Sequence, residues 1–274
     1  MTQKHRLDPR DLIARSEGPS YQELLDREPV AAPASLRADT VPYLGSENLP
    51  FERYLSRDFH EREVEKLWPK AWLMVCRESQ LPNPGDYTSF DITRYSILVL
   101  RSPSGALRGF HNSCRHRGRI LKRGSGNATE LRCPYHSFAW DLDGAFKGAP
   151  CMWDFKHIDA SDFGLPPVRV ETWGGWVFIN MDPDATPLLE HMGIVPEHFE
   201  RWEIDQRYVS LHVEKVIACN WKAATEAFIE SYHAIQTHPQ ILVYSGIDNS
   251  QYDVWGDNVS RTITTMGVVN PSHT

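Results

Sequence analysis

Four metal-binding side chains arranged as two mixed pairs constrain this chain more than anything else in it. Cys114 and His116 stand in "NSCRHRG", and Cys133 and His136 stand in "CPYHSFAWDLDG". The pattern is therefore Cys-x-His, 16 intervening residues, then Cys-x2-His. A Cys2His2 set is also a zinc set. Zinc fingers, however, group their ligands by type, a Cys pair followed by a His pair, and Cys-x-His is a tighter bite than their usual spacing. Here each half contributes one thiolate and one imidazole. Two such loops can deliver both thiolates to an inner iron and both imidazoles to an outer one, the ligand division of an asymmetric [2Fe–2S] cluster. Imidazole ligation raises the potential of such a cluster well above that of an all-cysteine one.

The rest of the chain is consistent with a globular protein. Its 274 residues, 41% of them hydrophobic, can bury a full core, and the length allows one large or two modest domains. The formal net charge of −7, with no basic stripe, argues against nucleic acid or an anionic membrane as partner. The N-terminus "MTQKHRLDPRDLIARSEG" lacks an apolar h-region, and no apolar run approaches the roughly 20 residues of a membrane span. The expected location is cytoplasmic. In a reducing compartment Cys76, Cys151 and Cys219 are expected to be buried free thiols.

Helical patterns fall around 9–16 and 20–27, followed by a connector, "EPVAAPASLRADTVPYLG", that reads as an extended arm. Phe59, Val64, Leu67 and Trp68 predict an amphipathic helix over about 57–67, stopped by Pro69. From about 70 to 182 the chain turns to short β-favouring runs: "AWLMVC", "YSILVLR", "GFHNSC", "LRCPYH", "FAWDLDG" and "WVFINM". Hairpin turns are expected at 102–106 ("SPSGA") and 142–145 ("LDGA"). Beyond that, "RYVSLHVEKVIAC" reads as a strand running into a helix that begins near Asn220, and the last 30 residues read as strand and loop.

On that helix Glu226, Glu230 and His233 are spaced i, i+4, i+7 and share a face. His238 would sit about 140° round from His233, so both imidazoles meet one metal only if the helix loosens or ends between them. Pro239 makes an ending plausible. Two His and a carboxylate with open positions form the ligand set of non-haem Fe(II) oxygenases. Taken alone the spacing is weak; downstream of the first constellation it is strong.

The loops "NSCRHRG" and "CPYHSFAWDLDG" resemble the cluster-binding loops of Rieske proteins, particularly those of ring-hydroxylating oxygenase large (alpha, terminal oxygenase) subunits. "NWKAATEAFIESYHAIQTHPQ" resembles the same family's catalytic motif, which runs Asn-Trp-Lys, then Glu, then an acid-x-Tyr-His-x4-His. The resemblance implies an α+β fold. An arm with helices would occupy residues 1–65, an all-β Rieske [2Fe–2S] domain 66–187, and the start of an incomplete helix-grip catalytic domain 188–274. It implies that Cys114 and Cys133 hold one iron and His116 and His136 the other. Gly118 would let backbone N–H groups approach the cluster sulfurs. His233 and His238 would ligate a mononuclear Fe(II) whose third ligand, an Asp or Glu, is expected beyond residue 274. Asp248, Asp253 and Asp257 match none of the family's ligands. His111, His157, His191, His198 and His212 read as structural or surface residues.

Glu230 stands where the family has an acidic bridge to a cluster histidine of the neighbouring subunit. His136 of one chain would then pass electrons through Glu230 to His233 of the next, which requires an oligomer, expected to be a homotrimer with or without a small β subunit. Two departures bear on substrate. Many ring dioxygenases have Asp at the bridge, and the longer Glu230 resembles the variant in oxygenases of quaternary amines such as carnitine. Ala227 replaces an Asn of the naphthalene-type enzymes. Phe228 and Ala234 are expected to line the pocket.

The implied activity is that of a terminal oxygenase. It would put O2-derived oxygen, by mono- or dihydroxylation, into an aromatic or polycyclic substrate, or alternatively into a carnitine- or choline-like amine. Electrons would come from NAD(P)H through a flavin reductase, a ferredoxin or both. A stand-alone Rieske electron carrier would leave the "NWK" segment unexplained. A shortened, catalytically dead chain that still folds its cluster domain is the other alternative.

Overall fold

Four consecutive apolar residues, Ile97–Leu100, show why the central part of the chain builds a sheet covered on both faces. The computed structural model describes residues 19–38, 40 and 47–270; the helical pattern expected at 9–16 lies outside them. All four residues are fully buried within one strand, Tyr95–Arg101. Successive side chains of a strand point to opposite faces. Ile97 and Val99 therefore enter a core with Leu81, Val168, Val177 and Ile179, while Leu98 and Leu100 enter another with Phe110, Leu131, Phe138 and Trp140. Cys114 and Cys133 belong to the second core.

Ten strands form this part: β1 (Leu73–Arg77), β2 (Asp86–Ile92), β3 (Tyr95–Arg101), β4 (Leu107–His111), β5 (Ser125–Asn127), β6 (Leu131–Arg132), β7 (Ala139–Trp140), β8 (Phe146–Gly148), β9 (Pro167–Trp173) and β10 (Trp176–Asn180). They make a seven-stranded antiparallel sheet in the order β1-β10-β9-β4-β3-β2-β5 and a three-stranded sheet β6-β7-β8. The candidate cluster ligands occupy the β4–β5 and β6–β7 connections. Both expected hairpin turns are present, with Gly105 at φ +85° and Gly144 at φ +86°. At Gly144 the space is as demanding as the angle, since a Cβ there would lie 2.4 Å from the Phe110 ring.

This β region belongs to a compact unit of residues 57–191 and 199–214. The helix expected near 57–67 is formed by Arg57–Lys66. Buried Arg77 ties β1 to the 204–207 segment, donating to the carbonyls of Ile204 at 2.9 Å and Arg207 at 2.6 Å while its guanidinium lies 4.9 Å from the Trp176 ring centre. The run "RYVSLHVEKVIAC" is not a strand. Residues 207–217 are irregular and exposed, including Tyr208, Leu211, Val213 and Val216. Its apolar alternation suits a sheet, but no described strand pairs with it, and a strand is made by its partner's hydrogen bonds.

The second unit comprises, among the described residues, those of 19–56 together with 192–198 and 215–270. Its first helix, Tyr21–Asp26, carries a full capping box between Ser20 and Glu23. The connector expected to be extended contains one helical turn, Ala34–Arg37. The unit's sheet is a hairpin of β11 (Ser245–Trp255) and β12 (Val259–Met266). One face of the hairpin clamps the arm. Arg261 bonds Asp253, Ser35 and Ala38, and Gln251 exchanges hydrogen bonds with Gln22 and Ala38.

Candidate functional site

The two loops that carry the Cys/His pairs are folded as copies of each other. In the first, Cys114 N–H donates to Arg119 O at 2.8 Å and Gly118 N–H returns to Cys114 O at 2.8 Å. In the second, Cys133 N–H donates to Phe138 O at 2.8 Å and Ser137 N–H returns to Cys133 O at 3.0 Å. The fourth residue after each cysteine reverses the chain with positive φ, +72° at Gly118 and +61° at Ser137. Glycine meets that requirement without cost, and a non-glycine at the matching place shows that the fold enforces it.

The thiols of Cys114 and Cys133 are buried at 2% exposure each, whereas the imidazoles of His116 and His136 are half-buried with ring centres 4.9 Å apart. His116 stacks on Phe138 at 4.5 Å and His136 on Tyr135 at 3.8 Å, which fixes both ring planes. Burial pushes the Cys114 thiol up, and backbone N–H groups of His116 and Arg117 aimed at the sulfur pull the other way. His116 lies below the ordinary imidazole range because of burial, then because of His136 and Arg117.

One atom tests whether these residues fit a metal cluster: His116 Nδ1 is buried with no hydrogen-bond partner. An imidazole nitrogen held dry and unpaired costs free energy unless something it can ligate sits there. Two buried thiols and two adjacent imidazoles would supply two protein ligands per iron to a [2Fe–2S] cluster, which fits their chemistry. Among the described residues no three His, Cys, Asp or Glu side chains form a group that could hold a single metal ion.

Asn112 was not singled out by its sequence context, yet it builds the first loop. It is buried, its Oδ1 accepts from Leu121 N–H at 3.2 Å and Lys122 N–H at 3.1 Å, and its Nδ2 donates to Lys122 O at 2.7 Å. This closes the base of the loop around Cys114 and His116. Arg115 braces the same loop through Gly164 O at 3.0 Å and by lying over the Phe163 ring at 4.9 Å.

The second constellation is assembled differently from the single helix its spacing predicts. Asn220 caps a helix Trp221–Glu226 through Lys222 N–H at 3.0 Å, but the helix ends there. Residues 227–233 are turns and irregular backbone, and a short helix, Ala234–Thr237, follows His233. Glu226, Glu230 and His233 therefore do not share a helical face. Instead the reversal brings Glu230 onto His233: Oε2 accepts from His233 N–H at 3.0 Å and Oε1 meets His233 Nδ1 at 2.5 Å. Burial pushes the Glu230 carboxyl up, but the hydrogen bonds and charge of His233 outweigh it and leave it below the usual range. Helix termination between His233 and His238 brings their rings to 5.6 Å, nearly perpendicular. Among the described residues no group of three or more His, Cys, Asp or Glu side chains is gathered around these two imidazoles.

Asp253 is the buried partner of Arg261, at 2.7 Å, and is committed to the arm network. Phe228 is 86% exposed, and Ala234 packs in a small core with Leu242 and Ile247. The cysteine expectation holds for Cys76, which is buried. Cys151 and Cys219 are exposed, because one occupies a left-handed turn and the other ends the irregular 207–219 stretch. All five thiols are free.

The family profile of the Rieske [2Fe-2S] domain matches residues 71–159, and that of the ring hydroxylating alpha subunit (catalytic domain) matches residues 197–273. The chain belongs to the Rieske oxygenase alpha-subunit family. The carnitine monooxygenase oxygenase subunit of Escherichia coli (strain K12) is 34% identical over 194 residues, covering 70% of this chain and 52% of that protein. Biphenyl 2,3-dioxygenase subunit alpha of Rhodococcus jostii (strain RHA1) is 34% identical over 201 residues, covering 71% and 44%. A crystal structure of the quaternary ammonium Rieske monooxygenase CntA superposes with TM-score 0.70 at 29% identity, covering 75% of this chain and 58% of that one. The chain thus spans about half the length of the curated relatives it matches. No helix among the described residues is long and apolar enough to cross a membrane.

Proposed function

We propose that this chain is the cluster-bearing and iron-binding part of a terminal oxygenase that places O2-derived oxygen in an organic substrate. Residues 66–187 would form the cluster domain and 188–274 the start of the iron domain. Cys114, Cys133, His116 and His136 would hold the [2Fe–2S] cluster, and His233 and His238 would contribute two ligands to a mononuclear Fe(II). When bound, the cluster supplies electrons one at a time and the Fe(II) supplies a site for O2.

The observation that carries this reading is the unpartnered, buried Nδ1 of His116 beside His136 and the two buried thiols. The chain's own part is to fix ring orientation and protons. Glu230 keeps a proton on His233 Nδ1 and so leaves Nε2 free as a ligand atom, the usual division of labour between a metal-bound histidine and its carboxylate. Its carboxylate retains lone pairs that can accept from an imidazole of a neighbouring subunit, the role of an inter-subunit electron bridge. Electron donors would be a ferredoxin or a flavin reductase drawing on NAD(P)H, and the working assembly a homotrimer in the cytoplasm.

Two substrate classes are open to such a centre. Ring substrates are suggested by the dioxygenase relatives. A quaternary amine is favoured by the longer acid at Glu230 and by carnitine and glycine betaine monooxygenases among the relatives. Substrate-dependent O2 uptake with L-carnitine against biphenyl separates the two.

The purified chain should contain iron and inorganic sulfide and give a Rieske-type EPR spectrum on reduction. Zinc without sulfide would overturn the cluster assignment. In the assembled oxygenase, Glu230→Gln should leave both centres loaded and stop product formation; undiminished product would remove the bridge.

A further inference from the structure

The β11–β12 hairpin has a second face, opposite the one that clamps the arm, and it is lined with hydroxyls. Side chains of one strand alternate between faces, so Gln251 and Asp253 serve the arm while Ser250 and Tyr252 look the other way. Tyr252 pairs directly with Thr262 across the hairpin. These two side chains grip the backbone on either side of Glu230. Thr262 Oγ1 donates to Ile229 O at 2.7 Å, and Tyr252 Oη accepts from Ser231 N–H at 3.3 Å and bonds Ser231 Oγ at 2.8 Å. A ladder continues behind them, Ser231 Oγ to Ser250 Oγ at 2.9 Å and Ser250 Oγ to Thr264 Oγ1 at 2.9 Å.

Glu230 needs such help. It lies in an irregular stretch between two short helices, with a half-exposed side chain, so no helix of its own fixes its backbone. A glutamate with three rotatable side-chain bonds on an unsupported loop would lose much of its orientation to entropy. Holding the preceding carbonyl and the following N–H leaves little freedom in the φ and ψ of residue 230, which is what aims both carboxylate oxygens at His233.

We propose that Tyr252 and Thr262 are positioning residues, a cross-strand pair whose hydroxyls set the Glu230 carboxylate against His233. Its link to oxygenation rests on the bridge role proposed for Glu230 above.

The test uses Tyr252→Phe, Thr262→Val and the conservative Thr262→Ser, with Glu230→Gln as reference. In the metal-free chain, the 15N shifts of the His233 ring report the Nδ1–H tautomer that Glu230 holds. Both hydroxyl deletions should move these shifts towards those of Glu230→Gln, while Thr262→Ser keeps them at the wild-type position. In the loaded, assembled oxygenase, the cluster-to-iron electron-transfer rate should fall about tenfold to a hundredfold in Tyr252→Phe and Thr262→Val, the range expected for a misplacement of about 1 Å. Thr262→Ser should restore it. Unchanged His233 shifts in both deletion variants, with the folded state verified by thermal midpoint, would overturn the positioning role. If the shifts move while Glu230→Gln transfers electrons at the wild-type rate, the positioning stands and the bridge reading falls.

Discussion

Replacing Arg261 by Met should unfasten the arm from the hairpin. The Arg261 side chain is 8% exposed and its partner Asp253 is fully buried, with the shortest contact, Nη2 to Oδ2, at 2.7 Å. A second bond runs from Nε to the same oxygen at 3.0 Å, and the other guanidinium hydrogens reach Ser35 O at 2.5 Å, Ala38 O at 2.9 Å and His198 Nδ1 at 3.3 Å. Removing one partner of a buried pair strands a charge and costs about 3–5 kcal/mol. Asp253 retains Gln251 Nε2 at 2.9 Å and Thr40 N–H at 3.0 Å, and Ala38 O retains Gln251 Nε2 at 3.0 Å. The loss should therefore fall at the low end, about 3 kcal/mol. The double variant Asp253→Asn/Arg261→Met should lose less than the sum of its single changes, because the stranded charge is gone. Urea unfolding, with amide exchange of β11 and β12 followed in parallel, measures both. A loss for Arg261→Met below about 1 kcal/mol, the value of an exposed ion pair, would show that the network does not hold the arm.

The other perturbations concern the cysteines and the Gly144 turn. Burial, then the Glu78 charge, push the Cys76 thiol up to about 11, against a smaller pull from Arg101. The folded chain therefore holds this proton more tightly than the unfolded one, so stability is full below about pH 9 and should fall by about 3 kcal/mol as pH rises to about 11. Cys76→Ala should flatten that part of the profile, and an unchanged profile would refute the assignment. In native protein at neutral pH a thiol reagent should label exposed Cys151 and Cys219 quickly and Cys76 slowly. Gly144→Ala adds a left-handed cost of about 1–2 kcal/mol to overpacking of about 1–3 kcal/mol against the Phe110 ring, so its thermal midpoint should drop by many degrees.

Short-range chemistry was legible in the residues. The two Cys/His pairs, both hairpin turns, the run at 95–101 and the helix at Arg57–Lys66 depend on spacing, turn residues and apolar pattern, all of which act over a few positions. β2 and β9 escaped a reading of apolar runs because their burial is only partial and mixed with polar residues. The segment 207–219 shows the opposite failure, since alternation announces a strand that only a neighbouring strand can complete.

By itself, then, the sequence determined which atoms could ligate metal and that they come in mixed pairs, because ligand type and loop spacing are local properties. Only the tertiary structure decided how the segment from Asn220 to His238 is folded. Its continuous helical pattern is broken after Glu226, and hydrogen bonds from a hairpin some 20–30 residues further along the chain hold the loop that places Glu230 on His233. Helical propensity is weak enough, at under about 1 kcal/mol per residue, for such long-range bonds to override it.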